Sequence, residues 1–290
     1  MDGVNKQTFK QKLSEYKKAP FSLVLFVLVM LSAVFTVFIL LFIIGYILIK
    51  GIPNLTPSLF AWNYNSDNVS MLPAIINTLI MTVMSLAISA TVGILSAVYL
   101  SEYAKRESRF VKTVRITTET LQGIPSIVFG LFGYLFFVIA LGWGNSLIAG
   151  VVTLSMMVLP LIMRTTEEAL NSVPDTFREG SYGLGAGKLR TIVKIVLPSA
   201  MPGIISGVIL AIGRIVGESA ALIFTAGTFA AVPGSIFDST RTLAVHMYCL
   251  YSEGLYTNEA YATAVVLLVF SLGVNALSKF ASKKLSAKQG

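Results

Sequence analysis

The stretch MPGIISGVILAIGRIVGESAALIFTAG, residues 201–227, decides how this chain is read. It is apolar enough to span a bilayer, yet it carries Arg214 and Glu218 four residues apart. A charged side chain near a bilayer centre costs about 2.5–3.5 kcal/mol on insertion scales, and such residues are kept where they pair or line a polar path. Spacing of i, i+4 predicts one helix face for both, so that they pair. A guanidinium handed from a carboxylate to an incoming oxyanion points to a path for an anion.

Working outward, the whole chain has the same character. Its 290 residues are 55% hydrophobic and only 12% charged, with a mean hydropathy of +0.78. Soluble domains carry about 25% charged residues, so the composition predicts a membrane protein before any motif is read. A single cysteine, Cys249, excludes an intrachain disulfide and a thiolate metal site. The lone His246 cannot form a metal cluster. Ser126 and Ser181 have no base nearby in sequence, so nucleophilic catalysis has no support. No cofactor or metal is expected, and the chain is read as no enzyme.

Six apolar segments reach the length of about 20 residues that a spanning helix needs. They are Phe21–Ile49, Leu72–Leu100, Ile116–Leu141, Ser146–Met163, Met201–Ala226 and Glu259–Phe280. The first is about twice as long as a signal-peptide core and has no cleavage site after it, so a retained helix is expected. Gly142–Asn145 predicts a tight turn, and the outer segment Gly227–Asn258 a short helix around Thr240–Tyr251. Nineteen of the 22 lysines and arginines fall in the N-terminal tail, the loops after spans two and four, and the C-terminal tail. By the positive-inside rule these lie on the cytoplasmic side, with both termini. The net charge of +8 is thus a topology signal, and nucleic acid is not an expected partner.

The loop from Arg164 to Pro198 carries a second signal. Val173-Pro174-Asp175 predicts a helix start. Gly183, Gly185 and Gly187 then end that helix, and Leu197-Pro198 ends the next short one before the membrane. Gly187-Lys188 tempts a nucleotide-loop reading, but Tyr182 and Leu189 stand where Gly and Ser or Thr are required. ATP is therefore left to another chain.

The spacing of Glu179-Gly180-Ser181, Gly185, Ile195 and Leu197-Pro198 resembles the cytoplasmic signature of ABC-importer permeases. Gly180 and Ser181 replace the usual alanines. Tyr99–Tyr103, Ile124–Gly130, Arg164–Glu168 and Gly213–Ala220 further resemble phosphate importer permeases of the PstA type. The resemblance implies an all-α polytopic membrane protein with six transmembrane helices and the type I ABC-importer (MetI-like) permease fold. It divides the chain into an N-terminal tail (1–20), a first helix (21–50), a permease domain (72–280) with a coupling loop (164–198), and a C-terminal tail (281–290). It implies a second permease of the PstC type, an ATP-binding dimer of the PstB type and an extracytoplasmic phosphate-binding protein of the PstS type, all in a lipid bilayer. Arg214 and Glu218 become phosphate-path residues, with phosphate displacing Glu218 from Arg214. Arg164 and Glu167, three apart, become a paired inner gate or second anion contact. Alternatives are a permease for another oxyanion, sulfate or molybdate, and an ion-coupled secondary transporter. The latter folds carry repeats and broken helices, and neither is evident in the sequence.

Overall fold

The computed structural model describes residues 20–105 and 108–286. The expected N-terminal tail, apart from Pro20, lies outside these residues, as do Arg106 and Lys288 of the basic clusters. Among the described residues, five helices are long and apolar enough to cross a membrane, or six if one bent pair counts as a single span. The chain divides into two units, 1–50 and 51–290.

The first unit is essentially one helix, α1 (Pro20–Gly51). Nearly all its side chains are exposed and apolar. Its hydroxyls are satisfied within the helix: Ser32 Oγ donates to the Leu28 carbonyl and Thr36 Oγ1 to that of Ser32, both at 2.8 Å. A helix apolar all round with self-satisfied polar groups is built for lipid.

The second unit contains the bundle. Its helices are α2 (Leu72–Val98), α3 (Arg109–Gly123), α4 (Ser126–Gly133), α5 (Leu147–Asn171), α6 (Asp175–Gly183), α7 (Lys188–Thr191), α8 (Leu197–Val216), α9 (Ala220–Thr225), α10 (Leu243–Glu253) and α11 (Thr257–Ser286). Helix α11 runs six residues into the expected C-terminal tail. The short helix foreseen in the outer segment is α10, capped by Thr242, whose side chain accepts from the Val245 amide.

Helix α5 is the centre. It packs on α2 and α8 and also meets α3, α4 and α9. Met81, Leu154, Met157, Val158, Ile162, Ile215 and Leu222 form the main apolar core. Hydroxyls stitch its seam with α2: Ser85 Oγ donates to Val151 O, and Ser155 Oγ donates to Ser85 O, both at 3.2 Å. Small residues set the other contacts, as expected where lipid-immersed helices gain by close approach rather than by expelling water. At the α8–α5 crossing, a Cβ on Gly203 would lie 2.6 Å from Ala169 Cβ, and one on Gly207 would overlap the Thr165 hydroxyl. Gly207→Leu is therefore expected to destabilise the purified protein by about 1–3 kcal/mol, the usual cost of overpacking. A thermal-unfolding scan in detergent checks this, and an unchanged midpoint would contradict the crossing.

Two expected spans and one expected helix end are corrected. The run Ile116–Leu141 is not one helix: α3 and α4 are bent by 101° across Ile124-Pro125. A residue before proline is pushed out of the α region, and Ile124 has ψ 129°. The segment Met201–Ala226 is also broken, because α8 stops at Val216 and α9 starts at Ala220. The absence of broken helices read from the sequence does not hold. Finally, Leu197-Pro198 does not end a helix. A π-helical turn at Ile192–Val196 runs directly into α8, so helical backbone continues through Leu197 and Pro198.

Candidate functional site

The break after α8 repositions both charges that single out residues 201–227. Arg214 lies in the last turn of α8, where the negative end of the helix dipole favours a cation. Glu218 lies beyond the helix, and its Oε1 accepts from the Ala221 amide at 3.1 Å, capping α9. The expected Arg214–Glu218 pair does not form, because a same-face i, i+4 pair needs a continuous helix and Gly217 ends this one. Glu218 is buried, while Arg214 is partly exposed and makes no ion pair among the described residues. Phosphate therefore has no Arg214–Glu218 bond to displace in this state.

A second charged cluster lines a cavity of about 220 Å³ between α3 and α5. Arg164 and Glu167 are both there but do not pair. Arg164 Nε donates to Glu168 at 2.9 Å, and its Nη1 lies 3.8 Å from Glu119. Glu167, nearly buried, is taken by Arg115, whose Nε donates to its Oε1 at 2.7 Å. The expected gate is thus two pairs, Arg115–Glu167 and Arg164–Glu168. The i, i+4 partner won over the i, i+3 partner, and the bend after α3 supplied an arginine from 52 residues away.

The coupling-loop residues lie in one compact hairpin. Helix α6 begins at Asp175 behind Pro174 and ends in the turn at Gly185, whose φ of +81° suits only a residue without Cβ. Ser181, where the family motif has alanine, is buried and bonds the Thr191 hydroxyl at 2.8 Å, tying α6 to α7. Glu179 and Gly180 are exposed, and Ile195, Leu197 and Pro198 are half-buried at the start of α8. Phe177, Tyr182, Leu184 and Leu189 are exposed apolar residues on the same hairpin.

One residue of this hairpin escaped the sequence reading. Arg178 counted only as a basic loop residue, yet it staples α6 to two spans. Its Nη2 reaches Glu102 Oε1 at 2.6 Å and the Leu170 carbonyl at 3.0 Å. Its Nη1 donates to Val173 O at 2.8 Å and to Asp175 at 3.1 Å. The Glu102 hydrogen bond, working against partial burial, holds the guanidinium pKa above its ordinary value. Glu102 and Arg178 are 76 residues apart, so no local spacing rule could join them. A glutamate inside the apolar run ending at Tyr103 was the available signal.

At the opposite end of the bundle, His246 is fully buried. Burial, then the nearby Arg241 charge, pushes its pKa down to about 3, with a smaller opposing effect from the Val69 backbone. It is a neutral packing residue, set edge-on to the Tyr64 ring.

Comparison with known proteins places this geometry. The chain is 33% identical over 276 residues to the probable ABC transporter permease protein YqgI of Bacillus subtilis (strain 168), covering 86% of this chain and 92% of that protein. It is 39% identical over 203 residues to the phosphate transport system permease protein PstA 2 of Mycobacterium bovis (strain ATCC BAA-935 / AF2122/97), covering 69% and 67%. A chain of a bacterial ABC transporter involved in the import of the acidic polysaccharide alginate superposes with a TM-score of 0.65 at 16% identity, covering 93% of this chain and 99% of that one. A chain of the inward-facing MetNI methionine ABC transporter gives 0.53 at 19% identity, covering 85% and 98%. These structural likenesses bear on the fold, which is the all-α MetI-like permease fold the sequence resemblance implied. Residues 89–287, most of the chain, match a single family, and the chain belongs to the binding-protein-dependent transport system inner membrane components.

Proposed function

We propose that this chain is one of two permease subunits of an ATP-driven phosphate importer, forming half of the path through which inorganic phosphate crosses the inner membrane. The observation that carries this reading is Arg214: a guanidinium at a helix break, in a span, with no carboxylate holding it among the described residues. A planar fork of donors suits phosphate oxygens. The names of relatives such as PstA 2 favour phosphate over other oxyanions.

Both termini and the 164–198 loop face the cytoplasm. There the exposed hairpin around Glu179 docks on a separate ATP-binding dimer of the PstB type, and Arg178 passes its motion to α2 and α5. The other half of the path is a PstC-type permease, and a PstS-type binding protein delivers phosphate from outside. The cluster of Arg164 and Glu167 with their partners forms an inner anion contact at the loop end of α5.

Labelled phosphate uptake in cells lacking the gene tests this. The wild-type chain is expected to restore uptake, depletion of ATP to abolish it, and excess sulfate to leave it unchanged. Restored sulfate uptake without phosphate uptake would assign another oxyanion. Uptake that survived ATP depletion would sink the importer reading.

A further inference from the structure

A cavity of about 790 Å³ opens at the end of the bundle away from the α6–α7 hairpin. Its wall includes Trp62 and Tyr64 from the segment before α2, Pro73 at the start of α2, and Thr228, Ser239 and Arg241 from the segment between α9 and α10. That size is in the range of small-molecule sites. Helix α2 spans the distance between the two ends, since Pro73 lines this cavity while Glu102, just past its C-terminus, meets Arg178.

Arg241 is only 4% exposed. Its Nε and Nη2 have no hydrogen-bond partner, and among the described residues it makes no ion pair. The nearby carboxylate in sequence, Asp238, is already taken by the Gly234 and Ser235 amides. What faces the guanidinium is the Tyr64 ring, 4.6 Å from its carbon, and the Cys249 thiol. Neither neutralises it. A buried charge without a counter-charge costs several kcal/mol, while the cation–π contact returns only about 2. The two free donors are also neighbours on one edge of the guanidinium, the edge that grips an oxyanion through two parallel N–H bonds. The backbone here is firmly held: Asn77 Nδ2 donates to both Ala231 O and Arg241 O, at 2.9 and 3.2 Å. Val69, whose backbone adjoins His246, has φ +38°, a strained value for a β-branched residue, and such strain gathers at ligand clamps.

We propose that Arg241 and this cavity form an outer oxyanion site, which receives inorganic phosphate before it moves into the bundle. The proposal rests on the phosphate-import reading above. Its two donors are shut off from water in this state, so phosphate reaches them by displacing part of the cavity wall.

The test uses the assembled transporter in cells lacking the binding protein. In a Cys249→Ala background, Thr228→Cys places a thiol on the exposed cavity wall for a membrane-impermeant thiosulfonate reagent. Inorganic phosphate at ten times its Kd is expected to slow labelling about tenfold, and chloride at equal ionic strength not at all. Arg241→Gln and Arg241→Lys are expected to abolish the protection while labelling without phosphate keeps its rate. The lysine variant keeps the charge over Tyr64 and lacks only the fork, so it decides the matter if the glutamine variant misassembles. Absence of protection in the Arg241 parent, or undiminished protection in both variants, overturns the site. Protection by phosphate-free binding protein and not by phosphate also overturns it, by making Arg241 a contact for a partner's carboxylate. Uptake is measured in parallel with the binding protein restored. No uptake there counts against the import reading, whereas normal uptake without protection counts only against the Arg241 site.

Discussion

Arg214→Gln is expected to lower labelled phosphate uptake at least about thirtyfold with no loss of assembled protein. The magnitude follows from losing one charge-assisted contact to a passing anion, about 2 kcal/mol. The second half of the prediction depends on the observed geometry. Had Arg214 paired with Glu218, removing it would strand a buried carboxylate and cost stability. Instead Glu218 already accepts from the Ala221 amide, so nothing is orphaned when the guanidinium goes. Glu218→Gln should cost about 1 kcal/mol as a weakened cap and leave more transport than Arg214→Gln. Uptake assays run beside membrane immunoblots and ATPase co-purification check both halves. Wild-type uptake in the variant would demote Arg214 to a packing residue.

Arg178→Met should be the most destabilising change at the α6–α7 end of the bundle. The Arg178 and Glu102 side chains are 13% and 5% exposed, so breaking the pair leaves a buried carboxylate, at about 3–5 kcal/mol. The carbonyls of Leu170 and Val173 lose their donor at the same time. By contrast, Arg164 and Glu168 are 46% and 64% exposed, and separating them should cost far less, because solvent screens an exposed pair. Thermal unfolding of the two variants in detergent measures the difference. The double variant Arg178→Met with Glu102→Leu should recover much of the stability, since apolar residues of similar size often replace a buried pair without loss. It should not recover uptake, because the α6 hairpin would be held to the spans by packing alone. Full uptake in the double variant would show that the staple carries no motion.

Much of this was legible in the sequence. Apolar length placed the helices, because α1, α2, α5 and α11 obey the one rule a bilayer imposes. The loop glycines and Pro174 placed α6 by chain geometry alone. Breaks were less legible, since Ile124-Pro125 and Gly217 sit inside runs that are long enough and apolar enough on average to read as single spans. A hydropathy average registers transfer energy and is blind to a bend. Pairings were least legible. Spacing rules of three and four residues assume one helix, and they produced Arg214–Glu218 and Arg164–Glu167. The observed partners of Glu167 and Glu102, namely Arg115 and Arg178, come from other elements. Such contacts depend on which helices meet, and that depends on the bend and on the small residues that allow α8 to reach α5.

The position of α5 at the centre of the bundle also governs how the chain is made. Two thirds of its most apolar stretch is covered by other helices. It leaves the ribosome before α8 and α9, which supply much of that cover. Until they follow, its Thr153, Ser155 and Glu167, all buried in the finished bundle, have only α2, α3 and α4 to shelter them. A nascent chain stopped near Gly187 keeps the Ser155–Ser85 and Arg115–Glu167 contacts of α5 with α2 and α3, but lacks the packing that α8 and α9 lay against it. The core around α5 is complete only when the last third of the chain, which brings Ala211, Ile215, Leu222 and Ala226, is in place.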